Sequence, residues 1–294
     1  MKVIARLTLI VCLCAAIPLA GAPIPQPILA GEELARIEGL TGRYGGRLVI
    51  GQRSEPKTLN PVTATDAISR EVFERLHADL IEINRASQKT EPALAKSWKI
   101  SPDGRSFTLK LRQGIRFSDG QPFDADDVVF SFTVYLDEAV NSQQRDLLII
   151  DGKPLTVTKI DPYTVQFTLP RPYAAAERLF DSFAILPRHI LEGPYHAGKF
   201  LQTGSLNTPP GDLVGLGPFR VKSYLPGQRI VLERNPYYWK VDPQNRRLPY
   251  LDELVFLFVG SEDAQVMRFE AGETDMINRL SSENYTLQIG RAHV

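Results

Sequence analysis

The sequence has few of the residues that build covalent or metal-based sites. Its two cysteines, Cys12 and Cys14, both lie in the N-terminal apolar segment, and its four histidines show no close pairing along the chain. No disulfide is possible once that segment is removed, and a zinc site lacks ligands at the usual spacing. We therefore expect no metal and no cofactor, and a fold stabilised by a packed apolar core.

The chain also lacks an excess of charge of either sign. Lysine plus arginine equals aspartate plus glutamate, at 34 each, over 294 residues. This balance disfavours both a basic field for nucleic acid and an acidic disordered chain, so we expect no nucleic-acid partner. A hydrophobic content of 43% is enough for the core of one large domain or two ordinary ones.

No apolar run is long enough to span a bilayer comfortably. The run at residues 7–19 follows Lys2 and Arg6 and precedes small residues, which is the organisation of a cleavable secretory signal peptide. We predict a signal peptide over residues 1–22 and a periplasmic or cell-envelope location. Lipidation at Cys12 is the alternative, but the apolar stretch before it is short for a lipoprotein signal.

Two hairpins and a capped helix are predicted between residues 98 and 132. Apolar and polar side chains alternate on both sides of the turn Ser101–Gly104, as in two half-buried strands. An Asp-Gly pair at 119–120 suits a second tight reversal. Asp124 then suits the cap of a helix ending near Ala139. A calcium loop is the alternative for these aspartates, but the required glycine and glutamate positions do not match.

Hydrophobic periodicity predicts further elements on both sides of this region. We expect a strand at 45–51, a helix from Asp66 to Ile83, a hairpin of 155–160 with 164–169, and a helix at 174–183.

The segment from Trp98 to Phe132 resembles the signature of the family 5 extracellular solute-binding proteins, the oligopeptide-, dipeptide- and nickel-binding receptors of ABC importers. The resemblance is carried by Ser-Pro-Asp-Gly-x-x-Phe-Thr-Leu at 101–109 and by Phe-Ser-Asp-Gly-x-Pro-Phe-x-Ala-Asp-Asp-Val at 117–128. Similar segments include Gly-Leu-Gly-Pro-Phe at 215–219 and Asn-Pro-Tyr-Tyr-Trp at 235–239. The resemblance covers about residues 45–285.

This resemblance implies an α/β fold of the two-lobed periplasmic binding protein-like type (type II, the large three-domain variety), with the second lobe mostly missing. The expected units are a flexible leader (23–43), a discontinuous first lobe (44–61 and 161–260), an inserted small α+β domain (62–160) and the start of the second lobe (261–288). The leader includes a possible short helix near residues 32–37. Residues 289–294 match a translated sequencing adapter, so we expect the natural protein to continue.

Six residues are expected at a ligand cleft by resemblance: Thr65, Asp66, Ala67, Gly217, Tyr238 and Trp239. The segment Thr65–Ala67 could pair its backbone with an extended peptide, or could simply begin a helix at Asp66. Gly217 indicates a tight approach of backbone to backbone or to ligand. Tyr238 and Trp239 are expected to pack in the core, as most such aromatic residues do. The alternative hypothesis is that one of the two rings faces the ligand cleft.

The resemblance implies a monomeric receptor that binds a peptide or similar small solute and passes it to the membrane permease subunits of an ABC importer, without catalysis. A secreted hydrolase is one alternative, although no nucleophile motif is present. An envelope chaperone-like protein is another. Without its second lobe, the strand near Val255–Phe258 is expected to expose an apolar face, so that the chain alone aggregates and does not bind.

Overall fold

The computed structural model describes residues 23–39, 41–173, 175–278 and 280–282. The predicted signal peptide and the adapter-like residues 289–294 lie outside the described residues. Within the described ranges, each helix is too short or too polar to cross a membrane.

The described strands are β1 (Ala35–Arg36), β2 (Arg47–Gln52), β3 (Ile81–Ile83), β4 (Thr90–Pro92), β5 (Ala95–Ile100), β6 (Ser106–Leu111), β7 (Ile149–Ile150), β8 (Lys153–Pro154), β9 (Thr156–Asp161), β10 (Thr164–Thr168), β11 (Phe219–Leu225), β12 (Arg229–Arg234), β13 (Lys240–Val241), β14 (Glu253–Phe258) and β15 (Met276–Ile277). The α-helices are α1 (Ala67–Phe73), α2 (Ala125–Leu136), α3 (Ala176–Leu179), α4 (Arg188–His196) and α5 (Glu262–Glu270). Short 3-10 helices occupy Arg145–Leu148, Phe200–Gln202 and Pro210–Asp212.

An antiparallel four-stranded sheet, in the order β5-β6-β10-β9, forms the smaller unit. The predicted first hairpin is confirmed: Trp98 pairs with Leu109, and Gly104 at φ 68° supplies the positive φ that the turn requires. The hairpin of β9 and β10 is also confirmed. Because β10 bonds to β6 as well, the domain boundary expected between residues 160 and 161 falls inside this hydrogen-bonded sheet.

Helix α2 begins at the predicted cap. Asp124 accepts a hydrogen bond from the backbone of Asp126 at 2.8 Å, and Asp127 accepts one from the backbone N–H of Asp124 at 3.0 Å. This reciprocal arrangement satisfies N–H groups that a helix start leaves free. Within the core, the Phe132 ring lies 4.8 Å from that of Phe167, centroid to centroid, in an edge-to-face arrangement. The helix therefore joins the sheet through aromatic packing.

The larger sheet has the order β11-β12-β14-β2-β15, with β14 and β15 parallel to β2. Leu254 and Phe256 of β14 are buried in one apolar cluster with Val72 and Leu76, from α1 and the turn after it. The expectation of an uncovered apolar face near Val255–Phe258 is therefore wrong for the buried residues 254–256. Exposed apolar side chains occur instead farther along the chain, at Met267, Phe269 and Met276.

The predicted helix from Asp66 to Ile83 is wrong in length, because α1 ends at Phe73. The backbone carbonyls of Arg75 and Leu76 accept hydrogen bonds from Phe219 (3.0 Å) and Gly217 (2.9 Å). Those carbonyls are therefore used by a distant segment instead of continuing the helix. Residues 81–83 form β3, which pairs with β4. The helix predicted at 174–183 is likewise shortened to α3.

The segment expected to be a flexible leader lies against the rest of the chain. The short helix predicted near residues 32–37 is wrong, since β1 pairs in parallel with β13. Arg247, only 3% exposed, donates to the backbone carbonyl of Gln26 at 2.9 Å and forms an ion pair with Glu32. Sequence periodicity missed this strand because two residues are too few to show alternation.

Candidate functional site

The carboxyl ends of three parallel strands meet at one edge of the larger sheet. β14, β2 and β15 run in the same direction and end at Phe258, Gln52 and Ile277. Helix α5 follows β14 directly, and its cap, Ser261, accepts a hydrogen bond from the backbone of Ala264 at 3.1 Å. In open α/β sheets, ligands bind in the crevice outside the carboxyl ends of the strands. This edge is therefore the first candidate for a binding site.

A small pocket of about 120 Å³, most of whose lining residues have polar side chains, lies at this edge, and we call it the edge pocket. Its lining residues come from β2, α1, α5 and the end of β15: Gly51, Gln52, Arg53, Ala67, Ile68, Glu71, Gln265 and Asn278. Asn278 donates to Glu71 at 2.5 Å, and the Gln52 amide donates to the same carboxylate at 3.4 Å. Arg53 pairs with Glu262 at 2.6 Å.

The edge pocket also contains an acceptor without a donor. The side-chain oxygen of Gln52 is buried and, within the described part of the chain, receives no hydrogen bond. An unsatisfied buried carbonyl costs about 1–3 kcal/mol, so a donor group on a ligand would gain by reaching it. The side-chain amides and the ion pair of the edge pocket can hydrogen-bond to polar groups of a ligand. Its lining residues include no nucleophile paired with a general base.

The predicted segment Thr65–Ala67 reaches the edge pocket through Ala67. Asp66 accepts hydrogen bonds from the backbone N–H (2.8 Å) and the hydroxyl (2.7 Å) of Ser69, so it caps α1. Burial alone would raise the pKa of Asp66, but these two hydrogen bonds outweigh it and lower that pKa. The interpretation of Asp66 as a helix start is confirmed. Thr65 and Ala67 are exposed, and Ala67 lines the pocket, so their contact with a ligand stays a prediction.

Gly217 lies in the interior, where two segments of backbone touch. Its N–H donates to Leu76 at 2.9 Å, and its carbonyl accepts from the Asn235 amide at 2.8 Å. A Cβ at this position would lie 2.4 Å from the carbonyl carbon of Leu76. The expected tight approach is therefore one of backbone to backbone, and the structure does not bring Gly217 to the edge pocket.

Tyr238 and Trp239 are core residues. Their exposed fractions are 9% and 1%, and their rings pack against each other at 5.6 Å between centroids. The Trp239 indole donates to the carbonyl of Leu216 at 3.0 Å, and the Lys240 ammonium lies 5.1 Å from the ring centroid. Burial, with a smaller contribution from Glu82, raises the pKa of Tyr238. Both rings are therefore packed in the core, which was the default interpretation, and neither lines the edge pocket.

A larger and more apolar cavity, of about 470 Å³, lies away from the edge pocket. It is formed by residues from 59–61, 76–77, 186–194 and 202–214, and none of the six predicted site residues lines it. In the described ranges, no group of three or more His, Cys, Asp or Glu residues is arranged to hold a metal ion.

Sequence reasoning missed Gln52, Glu71, Gln265 and Asn278. Gln52 could have been found, because it directly follows the strand predicted at 45–51. In an open α/β sheet, ligands bind outside the carboxyl ends of the parallel strands, so polar residues at those ends are candidates for ligand contact. That β2 is parallel to its neighbours depends on pairing with residues about 200 positions away, which local patterns do not reveal.

The larger sheet and the four-stranded antiparallel sheet together form part of the two-lobed α/β fold of periplasmic binding proteins. The chain belongs to the bacterial extracellular solute-binding proteins, family 5, whose model matches residues 89–293. The resemblance expected from the Trp98–Phe132 segment is confirmed.

Two curated relatives and one solved structure give the extent of the similarity. The periplasmic alpha-galactoside-binding protein of Rhizobium meliloti is 37% identical over 224 residues, covering 73% of this chain and 32% of that protein. The periplasmic oligopeptide-binding protein OppA of Escherichia coli is 30% identical over 280 residues, covering 90% and 47%. The oligopeptide-binding protein AppA of Bacillus subtilis, solved with a nonapeptide, aligns at TM-score 0.72 and 28% identity, covering 84% and 46%. The chain spans less than half the length of these relatives.

Proposed function

We propose that this chain is the solute-binding first lobe of an exported receptor that delivers a peptide or similar small solute to an ABC importer. The proposal rests on the edge pocket, which places polar side chains at the carboxyl ends of parallel strands, where ligands bind in such sheets. The membership of the chain in this family supports the same function. The groups in the pocket hold a solute by hydrogen bonds, and no bond is made or broken. Turnover is not part of this function.

The relatives leave the chemical class of the solute open between peptides and sugars. One is named for alpha-galactosides and two for oligopeptides. The amide-rich lining of the edge pocket suits either, because amides both donate and accept hydrogen bonds. Peptides are favoured by the exposed segment at Thr65–Ala67, whose backbone can pair with an extended main chain.

Location and partners follow from the same proposal. The basic, apolar and small-residue regions of residues 1–22 support export to the periplasm or cell envelope. There the receptor acts as a monomer and docks on the membrane permease subunits of the importer.

Calorimetry tests the proposal with the protein as encoded in its genome. Di- to pentapeptides and alpha-galactosides are titrated in turn, and each solute is recovered afterwards for mass analysis. We expect one class to bind and to be recovered unchanged. Gln52→Ala should weaken binding about fivefold or more, because a hydrogen bond to a polar ligand is worth about 1 kcal/mol or more. Asn207→Ala, an exposed amide outside the edge pocket, is the matched control.

Two outcomes would contradict the proposal. One is a solute that is chemically changed after incubation, with turnover abolished by a single substitution, which would indicate a secreted hydrolase. The other is binding of unfolded proteins without saturable binding of any small solute, which would indicate a chaperone-like protein.

A further inference from the structure

The larger cavity, of about 470 Å³, is a candidate for a second site, and we call it the apolar cavity. It has no lining residue in common with the edge pocket. Its volume falls in the range of about 300–1,000 Å³ that is usual for small-molecule sites in proteins. Neither the sequence patterns nor the family match assigns it a role.

The most deeply buried lining residues of the apolar cavity are aliphatic. Leu59, Leu76 and Leu186 are each at most 2% exposed, and Val214 is 4% exposed. Three more aliphatic side chains line the cavity and are only partly buried: Ile190, Leu191 and Leu213. A ligand that covers these three removes apolar surface from water, which is favourable.

Hydrogen bonds fix two walls of the apolar cavity in place. Helix α4 forms one wall, and its first residue, Arg188, donates its backbone N–H to Asp127 of α2 at 3.0 Å. Residues 59–61 form another wall, where the N–H of Leu59 donates to the carbonyl of Gly204 at 2.7 Å. Walls that are held in this way relax only partly into empty space, so the cavity is available to a ligand without rearrangement.

Two polar side chains of the lining use their hydrogen-bonding groups within the protein. The Asn60 amide donates to the carbonyl of Thr203 at 3.3 Å, and its side-chain oxygen accepts from the N–H of Val62 at 2.9 Å. The Thr203 hydroxyl donates to the carbonyl of Phe200 at 2.6 Å. An ordered buried water needs about two to four polar partners. This part of the cavity therefore favours an apolar occupant over ordered water.

The charges of the lining favour a neutral ligand. Among the described lining residues there is neither a lysine nor an arginine. Burial lowers the pKa of His77 to about 4, so its ring is uncharged at pH 7. The other lining histidine, His189, has its Nε2 atom 2.8 Å from a carboxylate oxygen of Asp119. An anion would therefore lose its hydration without gaining a free cation, which is strongly unfavourable. Asp212 is exposed, so its attraction for a cation is weak.

We propose that the apolar cavity binds a neutral, mainly apolar small molecule, at a site independent of the edge pocket. The inference goes beyond the proposed function and holds whichever solute the edge pocket takes. An apolar cavity of about 150 Å³ holds a benzene molecule, and this one is about three times as large. It therefore accommodates a compound of two or three rings, or an aliphatic chain of similar volume.

Two fluorescent probes with the same ring skeleton test this inference. N-phenyl-1-naphthylamine is uncharged, whereas 8-anilino-1-naphthalenesulfonate carries a sulfonate, and both brighten when they leave water. With the protein as encoded in its genome, we expect saturable binding of one N-phenyl-1-naphthylamine per chain. Its affinity should be at least about tenfold higher than that of the sulfonate, because a buried charge without a partner is strongly unfavourable.

Substitutions locate the bound probe. Leu191→Trp fills the apolar cavity from α4 and should weaken binding of the neutral probe about tenfold or more. Leu225→Trp adds the same side chain at an exposed leucine outside the cavity and should leave the affinity unchanged. If circular dichroism shows that Leu191→Trp does not fold, Leu191→Asn replaces it. That variant exchanges apolar for polar surface without added bulk, and we expect binding to be about threefold weaker or more.

The outcomes that overturn the inference are distinct from those that bear on the proposed function. Binding that does not saturate, equal affinity for the two probes, or an unchanged affinity in the folded Leu191 variant would each overturn the second site. A loss of neutral-probe binding in Gln52→Ala would do the same, because the probe would then occupy the edge pocket. Failure of the titrations with peptides and alpha-galactosides, in contrast, concerns the proposed function alone.

Discussion

The replacement Gly217→Ala tests whether this glycine serves the packing of the fold or a ligand. Its added methyl group would lie 2.4 Å from the carbonyl carbon of Leu76, 2.5 Å from the oxygen of Arg75 and 2.6 Å from the nitrogen of His77. All three are backbone atoms, so no side-chain rotation relieves the contact. The two segments must separate, which also lengthens the hydrogen bonds that Gly217 makes to Leu76 and Asn235.

The expected loss of stability follows from these contacts. Overpacking of an interior costs about 1–3 kcal/mol, and weakening two hydrogen bonds adds about 1 kcal/mol each. The total is about 3–5 kcal/mol, which corresponds to a fall in Tm of roughly 10 °C for a chain of this size. Circular dichroism during heating measures the fall, and Gly211→Ala, with open space around its added methyl group, is the control.

A Gly217→Ala protein that melts within about 1 °C of the parent would refute this reasoning. A ligand-binding role would show the opposite pattern, with a reduced affinity for the solute and an unchanged Tm. The two measurements together decide which role Gly217 has.

Further substitutions test the helix cap, the N-terminal segment and the partly buried His77. Asp124→Ala should lower the free energy of unfolding by about 1 kcal/mol in urea titrations, and no change would mean that the cap is dispensable. Arg247→Met leaves the buried Glu32 without its counter-ion, so we expect a loss of about 3–5 kcal/mol and faster proteolysis of residues 23–37; an unchanged digestion pattern would contradict this. Burial lowers the pKa of His77 to about 4, so the unfolded chain binds the extra proton and stability falls as the pH drops from about 6.5 to 4. His77→Gln should flatten that part of the stability curve measured by urea titration, and an unaltered slope would show that His77 is not its source.

Local patterns predicted the parts of the fold that local interactions determine. The hairpin around Ser101–Gly104 and the cap at Asp124 each depend on residues within a few positions of one another. The end of α1 was not predictable in this way. The carbonyls of Arg75 and Leu76, just beyond the helix, accept hydrogen bonds from Phe219 and Gly217, about 140 residues later, and periodicity carries no information about such partners.

The candidate site was predictable only in part, for the same reason. Ala67 lies at the edge pocket, but Gln52, Glu71 and Asn278 meet there because strands distant in sequence pair in parallel. Tyr238 and Trp239 show the converse case, since aromatic residues in a family motif are as useful for packing a core as for contacting a ligand.

Native mass spectrometry of the protein purified from its own cells without denaturation tests the central claim most directly. The account predicts a small solute bound in one-to-one stoichiometry, released on denaturation and unchanged in mass after prolonged incubation with the protein. A protein that carries no solute and takes up none from a broad panel of peptides and sugars, or one that returns its solute cleaved, would contradict it.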